Sequence, residues 1–412
     1  MEMKRIVLFL ASAALAVAAA LSCNKVESPV EESGEGEYTE VTFNVNVDGV
    51  DVQTRAAGNL EGVESENKLT MVDIYVFEYD ENLTGRLAAY KRYDANQISA
   101  EGGMTMKLKT DVRYTIYAIA NELLSLDDSE KESVLLNFNF SLGVYDYRIN
   151  NGYGFGMMSD AITKTFTDND KSLSITLKRM AARVRLVNVT NNLPAATGEV
   201  TIKNVFLSNV AATWRKSESK ILMWYNIYGR VIKEIQGTSE DPDALSNPYS
   251  VTSQIAYEFP ILTAEYAGCS LTFKSITDAS LAAGKSYTSP VSLYCFANKS
   301  ENVPDGFADS SLSSEEKFNI YSDFEGQHTM LVVETEIGGE TYYYPIDLNK
   351  RINANNGGTN VGIESNHTYD VSLTINNYGS PDEPNREIST LTAGYTVAVG
   401  EWGDGGTIDA DF

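Results

Sequence analysis

The chain has 412 residues, of which 43% are hydrophobic and 10% aromatic, and its formal charge is -25 at pH 7. This length favours two domains, and the hydrophobic content is sufficient for two cores. The negative charge argues against binding to nucleic acid or to an anionic membrane surface, because both require basic patches. With only two histidines and three cysteines, few residues are available for soft-metal ligation or histidine-based catalysis.

The N-terminus has the features of an export signal, which we place at residues 1–22. Lys4 and Arg5 precede an apolar run over residues 6–21 that is too short to be a spanning helix. The run ends in Ala-Leu-Ser before Cys23, which resembles a bacterial lipobox. A lipobox would mean cleavage before Cys23 and acylation of its thiol, for example with palmitate; the alternative is ordinary signal cleavage with Cys23 incidental.

Residues 23–37 combine five glutamates with serine, proline and glycine. This composition predicts a disordered tether. The mature protein is therefore expected to be anchored outside the cytoplasm.

The next stretch predicts a first strand with one apolar face. Val41, Phe43, Val45 and Val47 alternate with polar residues, so they would point to one side of a sheet. The strand is followed by a small, polar segment around Arg55, which is typical of exposed sites that proteases cut. An ordinary strand followed by an ordinary loop is the alternative on this stretch alone.

Most of the remaining signals are short strands, punctuated by glycine, asparagine and aspartate. The strands are predicted at residues 72–77, 104–108, 114–119, 173–177, 182–189, 200–206, 330–337, 342–346 and 369–375. Residues 125–136 alone predict a short surface helix. Many short strands with little helix indicate an all-β protein built from sandwiches. We place the boundary near Lys178, which gives domains at 38–178 and 179–412.

Several polar residues could in principle carry chemistry. Cys269 and Cys295 lie in strand-like contexts, where a disulfide and two buried thiols fit equally well. Asp404, Asp409 and Asp411 lack the spacing of a known calcium loop and are interpreted as a solvated turn. The sequence contains no phosphate loop, zinc spacing or nucleophile elbow, so no catalytic residues, cofactor or metal are expected.

The order of the motifs resembles the fimbrillins, the subunits of type V pili. Each motif is short, but together they extend over essentially the whole chain. They are the lipobox at Cys23, the first strand, Arg55, and residues 73–77, 114–121, 177–184, 369–379 and 394–402.

The resemblance implies two transthyretin-like β-sandwich domains and export as an outer-membrane lipoprotein. It also implies that an arginine-specific protease cuts between Arg55 and Ala56 and removes residues 38–55. The opened groove would then be filled by a strand from the C-terminal end of a neighbouring copy, which builds an extracellular fimbrium. Anchor and tip subunits are the further partners that the resemblance implies.

The residues are compatible with such an exchange. Tyr395, Val397 and Val399 alternate with small or polar residues, so a C-terminal strand would have the same period as the first strand. Four buried apolar side chains would contribute roughly 6–12 kcal/mol.

The sequence therefore predicts a non-enzymatic stalk subunit that polymerises after proteolysis and supports adhesion. An anchor or tip adhesin is the near alternative. A surface glycan-binding lipoprotein is an alternative of another class, suggested by the tyrosine content. A hydrolase is the least favoured, because no nucleophile and base can be named.

Overall fold

A computed structural model describes eight ranges of the chain, apart from isolated positions within them. These ranges are residues 37–48, 66–100, 102–217, 224–225, 271–298, 328–352, 362–381 and 393–401. All structural statements below refer to these residues.

Strands dominate the described residues, so the all-β prediction is confirmed. They are β1 (Tyr38–Val47), β2 (Met71–Glu78), β3 (Leu87–Asp94), β4 (Thr105–Lys109), β5 (Arg113–Ala120), β6 (Phe140–Ser141), β7 (Met157–Ser159), β8 (Ile162–Thr165), β9 (Ser172–Arg179), β10 (Ala181–Asn191), β11 (Val200–Ser208), β12 (Val210–Ala211), β13 (Thr213–Trp214), β14 (Trp224–Tyr225), β15 (Phe273–Leu281), β16 (Ser286–Tyr287), β17 (Val291–Phe296), β18 (Met330–Ile337), β19 (Glu340–Asp347), β20 (His367–Ile375) and β21 (Ala393–Glu401).

The expectation of one short helix is wrong, because at least three α-helices lie within the described residues. They are α1 (Ala95–Ser99), α2 (Glu132–Leu136) and α3 (Leu142–Asn150). Helix α1 begins at a capping box, in which the Asp94 carboxylate accepts from the Asn96 and Gln97 amides and Gln97 accepts from the Asp94 amide. Helix α2 coincides with the last five residues of the predicted 125–136 helix. None of the helices described is long and apolar enough to cross a membrane.

The first large sheet has eight strands and is formed by the N-terminal part of the chain. Its order is β3-β2-β5-β7-β9-β1-β4, with β8 beside β5. Strand β1 runs parallel to β9 and antiparallel to β4. It is therefore an interior strand, although it comes first in the sequence.

The described residues that follow build two further main sheets. One has the order β16-β10-β20-β21, with β17 also paired to β10, and the other has the order β15-β11-β18-β19. Strand β10 follows β9 after a single residue, Met180, so the chain passes directly from the first sheet into the second. Short strands β6 and β13 pair with each other across this division.

Apolar side chains from all three sheets are withdrawn from solvent, because the strands alternate or run apolar as the sequence predicts. Ile116 and Ile175 of the first sheet, Leu186 of the second and Val332 of the third are all fully buried. The fold thus places β1 between two hydrogen-bonding partners and over an apolar core.

Candidate functional site

The side chains of β1 divide into an inward and an outward set. Val41 and Phe43 are 0% and 2% exposed, whereas Asn44 and Asn46 are exposed to solvent. Val45 and Val47 are only half-buried, although both pack against the core. The inward face predicted from the sequence therefore exists, but its packing is concentrated in its first half.

The backbone of β1 is bonded on both sides. On one side, residues 42–47 pair with 172–177 of β9, and the Asp48 amide donates to the Leu177 carbonyl at 2.8 Å. On the other side, residues 38–42 pair with 105–109 of β4, and the Phe43 amide donates to the Met104 carbonyl at 2.8 Å. A strand in this groove thus makes two rows of hydrogen bonds.

A polar cluster, buried except for the half-buried Asp48, lies at the end of this groove, where the first and second sheets meet. Its polar side chains come from the end of β1, the segment before β2, β9, β10, β17 and the residue before β20. We call it the junction cluster, and it consists of Asp48, Glu66, Arg179, Arg183, Tyr294 and Asn366.

Glu66 is the acidic centre of one half of the junction cluster. One of its carboxylate oxygens accepts from Arg183 Nη1 at 2.7 Å, and the other accepts from the Tyr294 hydroxyl at 2.5 Å. The ion pair is buried on both sides. Burial, together with the neighbouring Glu66 carboxylate, raises the pKa of Tyr294, so its hydroxyl remains a donor at neutral pH. This half ties the segment before β2 to the second sheet.

Arg179 and Asn366 form the other half. Arg179 Nη1 donates to the Asp48 carbonyl at 3.1 Å and to Asn366 Oδ1 at 3.0 Å, and Arg179 Nε donates to the Glu66 carbonyl at 3.3 Å. Arg179 also donates to the Asn67 side chain. Asn366 Nδ2 completes the arrangement by donating to Asp48 Oδ2 at 2.9 Å. Asp48 therefore presents both a backbone and a side-chain acceptor to this half.

Asn366 has a φ of 62°, which lies in the left-handed region. Asparagine adopts this conformation more readily than most non-glycine residues. The backbone here turns the amide side chain towards both Arg179 and Asp48. Asparagine therefore suits this position both by its tolerance of the left-handed conformation and by its side chain, which accepts from Arg179 and donates to Asp48.

The junction cluster holds both ends of one segment. Asp48 is the last described residue before residues 49–65, and Glu66 is the first one after them. The predicted cleavage residues Arg55 and Ala56 belong to this segment and lie outside the described residues. A cut after Arg55 would leave Glu66 on the body of the molecule and Asp48 on the separated strand.

The predicted donor strand is found as β21, at the edge of the second sheet. It pairs with β20 in antiparallel register, with Val397 opposite Val371. Val397 is buried, whereas Tyr395 and Val399 are half-buried. In the described residues its ladder runs along β20 alone, so β21 here has one row of hydrogen bonds where β1 has two.

Of the two cysteines considered for a disulfide, Cys295 is a free thiol in β17 and is fully buried. Cys269 lies outside the described residues, as does the predicted lipidation residue Cys23. The described residues contain no group of three or more His, Cys, Asp or Glu side chains that could hold a metal ion. Tyr344 of β19 is buried in the core.

The junction cluster was not anticipated from the sequence. A signal was present, since Arg179 and Arg183 lie on either side of the apolar residues 180–182, and arginines are seldom buried without partners. Their partners Glu66 and Asn366 are more than 100 positions away in the sequence. Only the fold shows that these residues meet.

Comparison with known proteins gives matches among solved structures only. No family model matches the chain, and a search of curated proteins finds no match. A candidate cell adhesion protein from Bacteroides eggerthii has a TM-score of 0.53 and 15% identity, with 90% of this chain and 97% of that one covered. This likeness shows that the two proteins share a fold.

Two further solved structures have lower TM-scores. A candidate cell adhesion protein from Parabacteroides distasonis matches at 0.49 and 19% identity, with 90% of this chain and 98% of that one covered. A fimbrilin from Porphyromonas gingivalis matches at 0.47 and 13% identity, with 89% and 98% covered. The matched structures thus include a fimbrilin, the class of protein that the sequence resembles.

Proposed function

We propose that the chain is a structural subunit of a surface fimbrium, without catalytic activity, that polymerises by strand exchange after proteolysis. The observation that carries the proposal is the position of β1. The first strand of the chain lies between β4 and β9, fills an apolar groove and is followed by the segment that contains Arg55. Its removal would open a groove with two unpaired backbone edges, which is a ready site for β-strand addition.

The proposed replacement is the C-terminal strand of a neighbouring copy, with Tyr395, Val397 and Val399 facing the core. Transfer of β21 exchanges one row of hydrogen bonds along β20 for two rows along β4 and β9. Burial of the apolar side chains adds to this gain. Because donor and acceptor lie at different places on the subunit, the contact is head-to-tail and generates a filament.

The finer parts of this proposal concern export and assembly. The chain is exported as an outer-membrane lipoprotein acylated at Cys23, folds into two transthyretin-like β-sandwich domains, and is cut by an arginine-specific surface protease. Anchor and tip subunits complete an extracellular fimbrium that supports adhesion. The Bacteroides eggerthii structure, whose name refers to cell adhesion, supports this class of function through the shared fold.

The test is the N-terminal sequence and intact mass of the protein recovered from the cell surface. The proposal expects material that begins at Ala56 within filaments. Arg55→Ala and Arg55→Lys should both give exported monomers that keep β1, because an arginine-specific protease accepts neither. Arg86→Ala is the matched control, since Arg86 is an exposed arginine outside the segment and its removal should leave processing unchanged.

Filaments formed by the Arg55→Ala protein would overturn the proteolytic switch. Wild-type material that begins at acylated Cys23 would point instead to an anchor subunit, which keeps its first strand. Monomer that is specifically retained on a glycan column would favour a glycan-binding lipoprotein.

A further inference from the structure

The junction cluster sets a chemical requirement on any strand that occupies the groove. Asp48 follows the last inward residue of β1 and supplies a carbonyl to Arg179 and a carboxylate oxygen to Asn366. Both donors belong to buried residues. If β1 left, a strand without a side-chain acceptor at this position would deprive Asn366 Nδ2 of the carboxylate oxygen that it bonds here, and the loss of an acceptor by a buried donor is costly.

The C-terminal sequence repeats the spacing of β1. The two most deeply buried apolar residues of β1 are Val41 and Phe43. They lie seven and five positions before Asp48, which is the first residue of an Asp-Gly pair. In the C-terminal stretch, Val397 and Val399 likewise lie seven and five positions before Asp404, which is the first residue of a second Asp-Gly pair. The same alignment places Tyr395 at the buried position of Thr39.

Other registers do not satisfy the groove and the junction cluster together. If Val399 occupied the place of Val47, for example, the position of Asp48 would be taken by Gly400, which has no side-chain acceptor. A shift of two residues would also leave one of the two deepest pockets without its valine. The register set by Asp404 fills both pockets and supplies the acceptor.

We propose that Arg179 and Asn366 form a register-selecting site that binds Asp404 of the incoming subunit in the place of Asp48. The ligand is a strand of a second copy of the chain, recognised by one backbone carbonyl and one carboxylate oxygen. This inference rests on the proposed function. It adds that the polar end of the groove selects the register, while the apolar residues provide most of the buried area.

The first experiment uses the full chain, cut after residue 55 by a specific protease whose site is inserted there, and measures polymerisation by light scattering. Asp404→Ala should slow polymerisation roughly 10- to 100-fold, the range for loss of hydrogen bonds to a charged group. Asp404→Asn keeps an acceptor oxygen and should remain within about threefold of the parent. Asp409→Ala removes the same charge outside the alignment and should polymerise like the parent.

The second experiment reads the register directly through disulfide cross-links. Thr42 pairs with Ser172 of β9, so the proposed alignment places Ala398 of the neighbour opposite Ser172. The double variant Ser172→Cys with Ala398→Cys should therefore cross-link between subunits under mild oxidation. Ser174→Cys with Ala398→Cys is the matched control, because Ser174 is also exposed and lies two residues further along β9.

The results separate this inference from the proposed function. Polymers that form at the parental rate with Asp404→Ala, or that cross-link through Ser174 and not Ser172, would overturn the register site and leave strand exchange intact. A cut chain that neither polymerises nor binds a synthetic peptide of residues 393–406 would overturn both.

Discussion

The Tyr294 hydroxyl donates to a carboxylate oxygen of Glu66 at 2.5 Å and so joins two residues that are 228 positions apart in the chain. Arg183 donates to the other oxygen of the same carboxylate. The segment that precedes β2 is thereby fixed to β10 and β17 of the second sheet. This bond stays on the body of the subunit if the chain is cut after Arg55.

The buried pair of Arg183 and Glu66 provides a first prediction. Arg183→Ala leaves the Glu66 carboxylate buried without the guanidinium, so the free energy of unfolding should fall by about 3–5 kcal/mol. Lys203→Ala removes an exposed partner of Glu336 and should cost less than about 1 kcal/mol. Urea titration of both variants measures the difference, and equal losses would show that the junction cluster does not stabilise the fold.

The uneven packing of β1 provides a second prediction. Phe43→Ala in the uncut chain should lower the free energy of unfolding by about 3–5 kcal/mol, because Phe43 is almost fully buried. Val45→Ala should cost less than half as much, since Val45 is half-buried, and Asn44→Ala on the exposed face should change little. Chemical denaturation of the three variants measures their free energies of unfolding. A larger loss of unfolding free energy for Val45→Ala than for Phe43→Ala would contradict the prediction.

A third prediction concerns pH. Burial raises the pKa of Glu122 to about 7 from its ordinary 4.5, although Arg148 at 2.8 Å acts in the opposite direction. Between these two values the folded chain binds more protons than the unfolded chain, so this residue lowers stability as the pH rises from about 4.5 to about 7. The contribution is on the order of 3 kcal/mol across that interval.

Glu122→Gln should therefore flatten the dependence of the unfolding free energy on pH across this interval. The exposed residue Glu81 offers the matched control, since Glu81→Gln also removes one carboxylate and should keep the parental slope. Urea titrations of the parent and both variants at pH 5 and pH 7.5 give the change in unfolding free energy between these two pH values. A parental slope in the Glu122 variant would assign the pH dependence to other groups.

Cys295 provides a fourth prediction. Burial raises the pKa of its thiol to about 12, so the nucleophilic thiolate is scarce at pH 8 as well as inaccessible. Iodoacetamide should leave Cys295 unmodified in the folded protein and alkylate it in urea, as peptide mass spectrometry would show. Rapid alkylation of the folded chain would mean that β17 is not buried.

The strands that the sequence predicted are present because each of them carries an alternating or continuous apolar pattern, whereas other described strands, among them β3, β15 and β17, were not predicted. Strand β5 and strand β20 both fall where this pattern placed them. Strand β3 was missed, since its sequence Leu-Ala-Ala-Tyr-Lys-Arg-Tyr-Asp has no period of two and most of its side chains are half-buried. The capping box that begins α1 has a recognisable sequence signature, in which Asp94 and Gln97 stand three positions apart.

The site was only partly predictable. Alternation marked Val41 and Phe43 as inward residues, but it assigned the same burial to Val45 and Val47, which lie near the end of the groove and are half-buried. The partners of Asp48 could not be inferred, because hydrogen bonds between polar side chains that are remote in sequence leave no periodic trace. The pairing of β21 with β20 could not be predicted either, because an alternating apolar pattern indicates a strand but not which strand lies beside it.

The parallel pairing of β1 with β9 has a consequence for the order of folding. Phe43 lies opposite Leu173, so two adjacent positions of one sheet are separated by 130 residues of chain (173 minus 43). Contacts of such high sequence separation form late, because the entropy of closing the intervening loop must be overcome first. Strand β1 precedes the other strands of its sheet in the chain, yet it is bonded on both sides only once β9 is in place, so the groove cannot be completed before β9 has been synthesised.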